Sequence, residues 1–355
     1  MSREFTWRDA GRTVVLRRGA VAAAPGLLEE HGFGSFHLLS TPRALAGAPE
    51  LAAAASAVHE VAPGQIPDLA ADLLSSATLQ GAFAVSDRTG PKLRTRFAET
   101  APGFVALGGG RVVDVAKALA SVAGAKVAAI PTTMSGAEMT AIHRLPAGAE
   151  SRVRAMVRPA LVIADPAAMT GQPERQLRAS SMNALAHGAD TLYTPLSNPV
   201  SEMTALRGAG LIAAALDQPR EGRDDAGLAL GSLLCGYAID SAGYGLHHVV
   251  CQTLVRVCGS SHAETNAAIL PEAAAWLAAQ APAPFADLAA ALGTDSANLA
   301  PRIRELGRPA GLGESGGDRA KLGQAIEAML QRPELASVPA PPSHDELAEL
   351  IDRAW

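Results

Sequence analysis

Aromatic residues are scarce in this chain, at 4% of 355 residues, and cysteine is rarer still, with three. Cys235, Cys251 and Cys258 are odd in number and show no CxxC spacing. A disulfide framework is therefore not expected, and reduced thiols of a cytoplasmic protein are. No apolar run approaches the roughly 20 residues that span a bilayer, so a membrane protein is not expected. The polar start, Met1 to Arg12, has no apolar stretch of the kind a secretory signal carries. Neither charge sign dominates: 30 Lys and Arg against 35 Asp and Glu leave −5. That balance, without a basic stripe interleaved with aromatics, argues against a nucleic-acid partner. What is abundant is small and apolar. Hydrophobic residues reach 48% and mean hydropathy is +0.14, which excludes a disordered chain.

At this length about two domains are expected. Residues 1–165 alternate short apolar runs with Ala-rich stretches. Thr13–Leu16, Ser35–Ser40, Gly103–Leu107, Lys126–Ile130 and Leu161–Ala164 read as strands, and Val21–His31 and Val112–Ala123 as helices. Such alternation predicts a Rossmann-like α/β domain with a parallel sheet and helices on both faces. From about Pro173 the segments are long, rich in Ala and Leu, and without comparable strand signals. Residues 166–355 are therefore expected to form an all-α domain. The Pro/Ala stretches Ala281–Pro284 and Pro339–Pro342 read as loops.

Three constellations could carry chemistry. In the first, a strand runs into Gly108-Gly109-Gly110 and a helix starts at once, with Arg111, Asp114 and Lys117 in its first turns. Glycines let backbone approach a bulky anion, and free N–H groups at a helix start face it. That geometry suits a dinucleotide pyrophosphate, and equally a tight packing turn. The second, Thr132-Thr133-Met134-Ser135-Gly136-Ala137-Glu138-Met139-Thr140, follows the next strand, where open α/β sheets bind ligands. Its hydroxyls could line a cofactor, and Ser135-x-x-Glu138 also reads as a capping box opening a helix. In the third, Asn183 and His187 share a helix face, His247 and His248 are adjacent, and His262 follows fourteen residues later. One such histidine would be an ordinary core residue; four of the chain's nine, flanked by Gly and Ser, suggest a site.

Taken in order, these motifs resemble the iron-containing alcohol dehydrogenase family, which shares its two-domain form with dehydroquinate synthase. The similarity is greatest to the maleylacetate reductase branch. It is carried by Leu39-Ser40-Thr41-Pro42, the triple-glycine turn with Asp114 and Lys117, Pro131-Thr132-Thr133 with Glu138-Met139-Thr140, and Asp165-Pro166. It continues through Met182-Asn183-Ala184-Leu185-Ala186-His187, Leu192-Tyr193, Asn198-Pro199, Gly245-Leu246-His247-His248, His262-Ala263-Glu264-Thr265, Leu270-Pro271 and the final Ala354-Trp355.

The resemblance implies NADH or NADPH held by Thr41, Gly108, Gly109, Gly110, Arg111, Asp114, Thr132, Thr133, Ser135, Glu138 and Thr140, with hydride transfer in an interdomain cleft. It implies a small-molecule substrate and makes a homodimer plausible. The family's Fe or Zn ligands, one Asp and three His, fall on Asn183, His187, His248 and His262. Asn183 replaces the carboxylate, as in the maleylacetate branch, so metal is expected to be absent or dispensable. If one binds, His187, His248 and His262 hold it. His247, His248, His187 and His262 are the candidate acid and electrostatic groups, and Asn183, Gln252, Arg152 and Arg154 the candidate substrate contacts. Arg158 belongs with the two arginines, all three reading equally as a solvated charged face.

Departures from the family pattern bear on the expectation. Gln252 stands where the family usually has a histidine, and cannot transfer a proton. Arg111 stands where a serine is usual, and could clasp a phosphate, favouring NADPH, or itself fill the pyrophosphate site. No acidic residue follows the strand ending at Ser40, so nothing there excludes a 2′-phosphate. The expected activity is NAD(P)H-dependent reduction of maleylacetate or a bulkier unsaturated keto or oxo-acid compound, including one of secondary metabolism. The alternative is a relative that has lost redox activity and performs an acid/base step, such as dehydration or cyclisation, with its histidines.

Overall fold

The computed structural model describes residues 5–9, 11–83 and 102–355, so part of the polar start lies outside it. The chain forms two compact units. One comprises Met1–Thr133 with Ala137–Gly171, the other Met134–Gly136 with Gln172–Trp355.

The first unit is built on a seven-stranded sheet. Its strands are β1 (Phe5–Asp9), β2 (Arg12–Leu16), β3 (Phe36–Ser40), β4 (Ala57–Glu60), β5 (Gly103–Gly108), β6 (Val127–Pro131) and β7 (Leu161–Ala164), in the order β1-β2-β7-β6-β5-β3-β4. All neighbours are parallel except β1 and β2, which form an antiparallel pair at one edge. Every residue of β5, β6 and β7 is buried. A parallel sheet covered on both faces dictates this, and it explains why these strands read as continuous apolar runs.

Successive side chains feed two cores. Val105, Leu107, Ala128, Ile130, Leu161 and Ile163 pack with Ala24 and Leu28 of α1 (Ala24–Glu30). Phe104, Ala106, Val127 and Ala129 pack on the other side with Val112, Val113, Ala116 and Leu119. The edge strands β1 and β4 escaped the sequence reading. A four-residue strand such as Ala57-Val58-His59-Glu60, with a mixed burial pattern, lacks the long apolar signature of a central strand.

Between the strands lie α2 (Pro42–Ala46), α3 (Pro49–Ala54), α4 (Ile66–Ser75), α5 (Ala77–Phe83) and α6 (Gly110–Ala123), and α7 (Pro166–Thr170) follows β7. The Ser135-x-x-Glu138 pattern opens no α-helix. The chain makes only a single 3₁₀ turn there, Ala137–Met139.

Among the described residues the second unit is helical, with α8 (Glu174–Thr191), α9 (Pro199–Leu216), α10 (Asp225–Ala242), α11 (Leu246–Cys258), α12 (His262–Gln280), α13 (Pro282–Ala291), α14 (Leu299–Gly307), α15 (Leu322–Leu330) and α16 (His344–Ala354). α8 is buried continuously from Leu177 to Thr191 and packs against α9, α10 and α12. Asn198 caps α9 in a reciprocal pairing with Ser201, with Pro199 at the first helical position. Pro282 occupies the same position in α13, so the expected loop at Ala281–Pro284 is that helix's first turn. No helix among the described residues is long and apolar enough to cross a membrane.

Candidate active site

The second unit brings the histidines of α8 and α11 together. His187 stacks on His248 with ring centroids 4.8 Å apart and planes 15° from parallel, and His247 meets His248 edge-on at 5.1 Å. Beneath them lies a carboxylate that the sequence reading did not single out. Asp190, one turn beyond His187, is fully buried. It accepts the Tyr193 hydroxyl at 2.5 Å, the backbone N–H groups of Gly245 and His248 at 3.1 and 3.3 Å, and the His248 Nδ1–H at 2.7 Å. Tyr193 accepts in turn from the Leu246 N–H at 2.7 Å.

Four donors around one buried carboxylate hold it in its ionised form. Burial by itself would raise the Asp190 carboxyl; the hydrogen bonds it accepts, that from His248 first, outweigh it and keep the group well below the usual carboxylate range. Burial, reinforced by the Asp190 charge, pushes the Tyr193 phenol well above its ordinary value.

This arrangement fixes a tautomer. With Nδ1–H donated to Asp190, His248 carries its lone pair on Nε2, which is buried and has no hydrogen-bond partner. His187 Nδ1 is likewise buried without a partner. Burial first, then the neighbouring His248, lowers the proton affinity of His187 well below the usual value and that of His247 to about 4. His247 donates from Nε2 to Asn266 Oδ1 at 2.9 Å, and Asn266 donates to the backbone carbonyl of His262. His262 itself opens α12 and is exposed.

The donor set does not fit a metal ion. Asn183 turns its amide nitrogen to the Ser135 carbonyl at 2.8 Å and, being neutral, supplies no carboxylate ligand. Metal binding needs in-plane lone pairs converging on one point, and two rings stacked nearly parallel do not provide it. Among the described residues no group of three or more His, Cys, Asp or Glu is arranged to hold an ion.

In the first unit, β5 ends at Gly108 and α6 starts at Gly110. No side chain caps this helix; Val112 and Val113 donate to the Gly109 carbonyl, which leaves the N–H groups of Gly110 and Arg111 at its start. Thr133 lies against Gly109: a Cβ there would stand 3.0 Å from Thr133 Cγ2 and 3.2 Å from its hydroxyl, which is buried without a partner. Thr132 donates its N–H to the Gly108 carbonyl at 3.0 Å. Ser40 Oγ donates to the Leu107 carbonyl at 2.8 Å, and Thr41 caps α2 just beyond. Uncapped N–H groups, a close backbone approach and an idle hydroxyl suit an anionic pyrophosphate. Arg111 is exposed on the first turn.

Other predicted contacts have different employment. Lys117, fully buried, pairs with Asp114 at 2.7 Å and donates to the carbonyls of Ala137 and Ile142 and to Thr140 Oγ1. Asp114 and Thr140 therefore help to lock the loop after β6, and Glu138 is fully buried there too. Arg152 and Arg154 are exposed, and Arg154 lies against Gly124 at the C-terminal end of α6. A 14-residue helix, about 20 Å, separates Arg154 from the glycine turn, so it contacts nothing bound at that turn. Arg158 is exposed as well. Gln252 Oε1 accepts from Arg332 at 3.1 Å, a partner 80 residues away in sequence.

Residues 178–355 match the model of the Fe-containing alcohol dehydrogenase family's C-terminal domain, and residues 15–173 that of iron-containing alcohol dehydrogenase. The chain belongs to the iron-containing alcohol dehydrogenase family. Within the family it is similar to a maleylacetate reductase of Burkholderia cepacia, 35% identical over 71% of this chain and 73% of that one. A maleylacetate reductase of Rhizobium sp. strain MTP-10005 is 29% identical over 99% of this chain and 97% of its own. The crystal structure of maleylacetate reductase from Agrobacterium tumefaciens superposes with a TM-score of 0.77 at 26% identity, covering 100% of this chain and 99% of that one. This iron-containing alcohol dehydrogenase family member thus has the family fold, with the Asp190–His248 pair in its histidine cluster and Asn183 one turn before His187.

Proposed function

We propose that this protein is an NAD(P)H-dependent reductase of maleylacetate or a closely related unsaturated oxo compound. The observation that carries the reading is the buried Asp190–His248 pair, which leaves one imidazole nitrogen with no partner. The names of the similar proteins supply the substrate class.

Reduced nicotinamide, when bound, supplies a hydride; the N–H groups at Gly110 and Arg111, with Thr133, are the groups that would hold its pyrophosphate. In an alkene conjugated to a carbonyl, hydride addition at the β carbon moves the π electrons onto the carbonyl oxygen, and the α carbon then takes a proton. His248 can deliver that proton from Nε2 once that nitrogen has taken one up. Asp190, holding Nδ1–H, keeps the ring in the right tautomer and stabilises the doubly protonated ring that precedes the transfer. His187 and His247, kept neutral by burial, add no competing positive charge. We further propose that the enzyme acts in the cytoplasm, and as a homodimer.

The deciding experiment is a fluorescence titration with NADPH and NADH, followed by absorbance at the reduced-nicotinamide band after adding maleylacetate. Saturable binding and substrate-dependent oxidation of one cofactor are expected. Substrate conversion with no cofactor consumed, or no binding of either cofactor, would overturn the reading.

A further inference from the structure

A second polar network touches His248 through Tyr244. Tyr244 immediately precedes the turn into α11, and its ring lies 5.8 Å from the His248 ring, tilted by 52°. The phenol does not simply rest there. Its hydroxyl donates to Glu334 Oε1 at 2.8 Å and accepts from Arg332 Nη2 at 3.1 Å. Arg332 grips Glu334 with Nε and Nη2, at 2.9 and 2.8 Å, and the same Nη2 reaches Gln252 Oε1.

Gln252 lies one turn beyond His248 on the same helix, so Arg332 clamps the residues flanking that histidine on both sides. The clamp is a fork rather than a point charge, which fixes direction as well as distance. Its members are half-buried. Arg332 holds the Glu334 carboxyl down to about 2, and burial followed by Glu334 pushes the Tyr244 phenol up to about 12, so Glu334 stays charged and Tyr244 stays protonated at neutral pH.

We propose that Tyr244 is a positioning residue for His248, a side wall that the Arg332–Glu334 pair holds against the imidazole while fixing Gln252 beside it. The wall carries no net charge, because the guanidinium and carboxylate cancel and the other two members are neutral. The proposal concerns the same site as the reductase reading and rests on it for its catalytic consequence, but not for its geometry.

The test uses the full-length protein with Tyr244→Phe, Arg332→Met and the double variant. Tyr244→Phe keeps the ring and removes only the hydroxyl that the clamp holds. Carbethoxylation of His248 by diethyl pyrocarbonate, quantified by peptide mass spectrometry, reads exposure of the ring without substrate or cofactor. Each single variant is expected to raise the modification rate severalfold while the thermal unfolding midpoint shows the protein still folded, and the double variant is expected to match either single. Glu334→Gln, which keeps the side-chain volume, serves if Arg332→Met does not fold.

A rate at His248 unchanged in Tyr244→Phe, or effects of the two substitutions that simply add, would overturn the proposal. With turnover in hand, kcat should fall about ten- to a hundred-fold while the KM for cofactor is kept, as for a misplaced catalytic group. An unchanged kcat would also count against it. Absence of turnover in the wild type would sink the reductase reading and leave the modification result to decide this one.

Discussion

Asp190 shows how much can depend on one side chain. Its carboxylate is the common acceptor for two backbone N–H groups, a phenol and an imidazole. Asp190→Asn should cost about 3 kcal/mol in urea denaturation, because an amide nitrogen would then face donors that expect an acceptor. Gly136 is equally constrained. Its φ is +72°, and a Cβ would stand 2.7 Å from His187 Nδ1. Gly136→Ala should lower stability by about 1–3 kcal/mol, read from the thermal midpoint, by adding backbone strain to the clash.

Acid should weaken the fold at these same residues. The unfolded chain protonates His247 near 6.5, whereas in the native state burial delays it to about 4. Between those values the unfolded state binds more protons, so stability falls as pH drops from 6.5 to 4, by up to about 3 kcal/mol from this group. Asp190, depressed in the native state, adds a loss in the same direction, beginning as pH falls through the ordinary carboxylate range. Denaturation midpoints measured from pH 7.5 to 4.5 should decline; a flat profile would contradict the burial of His247.

At the scale of single elements, the start of α6 is the feature to probe. Gly109→Ala adds a methyl against Thr133, whose hydroxyl has no other partner, without straining the backbone, since φ there is −79°. Cofactor affinity is expected to fall about tenfold in the fluorescence titration, the order of one lost hydrogen bond to a charged group. The fold should be unaffected. Lys117→Met should do the reverse. It removes the cation that ties Ala137, Thr140 and Ile142 to α6, and the loss should register first in stability.

Elements also show what the sequence could and could not disclose. The buried strands β2, β3, β5, β6 and β7 were legible because burial on both faces leaves an apolar run with little interruption. The turn at Gly108–Gly110 was legible because a strand, glycines and a helix follow each other without a gap. The carboxylate partner of His248 was not, since Asp190 lies 58 residues away and only the packing of α8 against α11 joins them. Its one sequence signal was an acid three residues after His187, in a stretch from Ser180 to Thr191 that holds no other Asp, Glu, Lys or Arg. The clamp of Arg332 on Gln252 and Tyr244 had no such signal. Nor did spacing reveal that Arg154 would lie at the far end of α6.

For the molecule as a whole, ligand linkage offers a test that needs no assigned step. A cofactor that binds only the folded chain raises its stability by about 2.7 kcal/mol at a concentration one hundred times its Kd. NADPH or NADH should therefore raise the unfolding midpoint in proportion to the logarithm of its concentration. Neither would do so if the glycine turn were only a packing device.

The order of the sheet has a consequence for how the chain comes into being. β2, near the start, pairs on one side only with β1 and on the other with β7, whose register joins Thr13 to Leu161 and Leu16 to Ala164. A ribosome adding about 5–20 residues each second must therefore make nearly half the protein before β2 meets its second neighbour. Until then a hairpin whose second strand carries the apolar Val14-Val15-Leu16 waits with one edge open, a point of aggregation if synthesis stalls. A fragment ending at residue 155 should accordingly be recovered in inclusion bodies, and one extended to residue 171 should be appreciably more soluble.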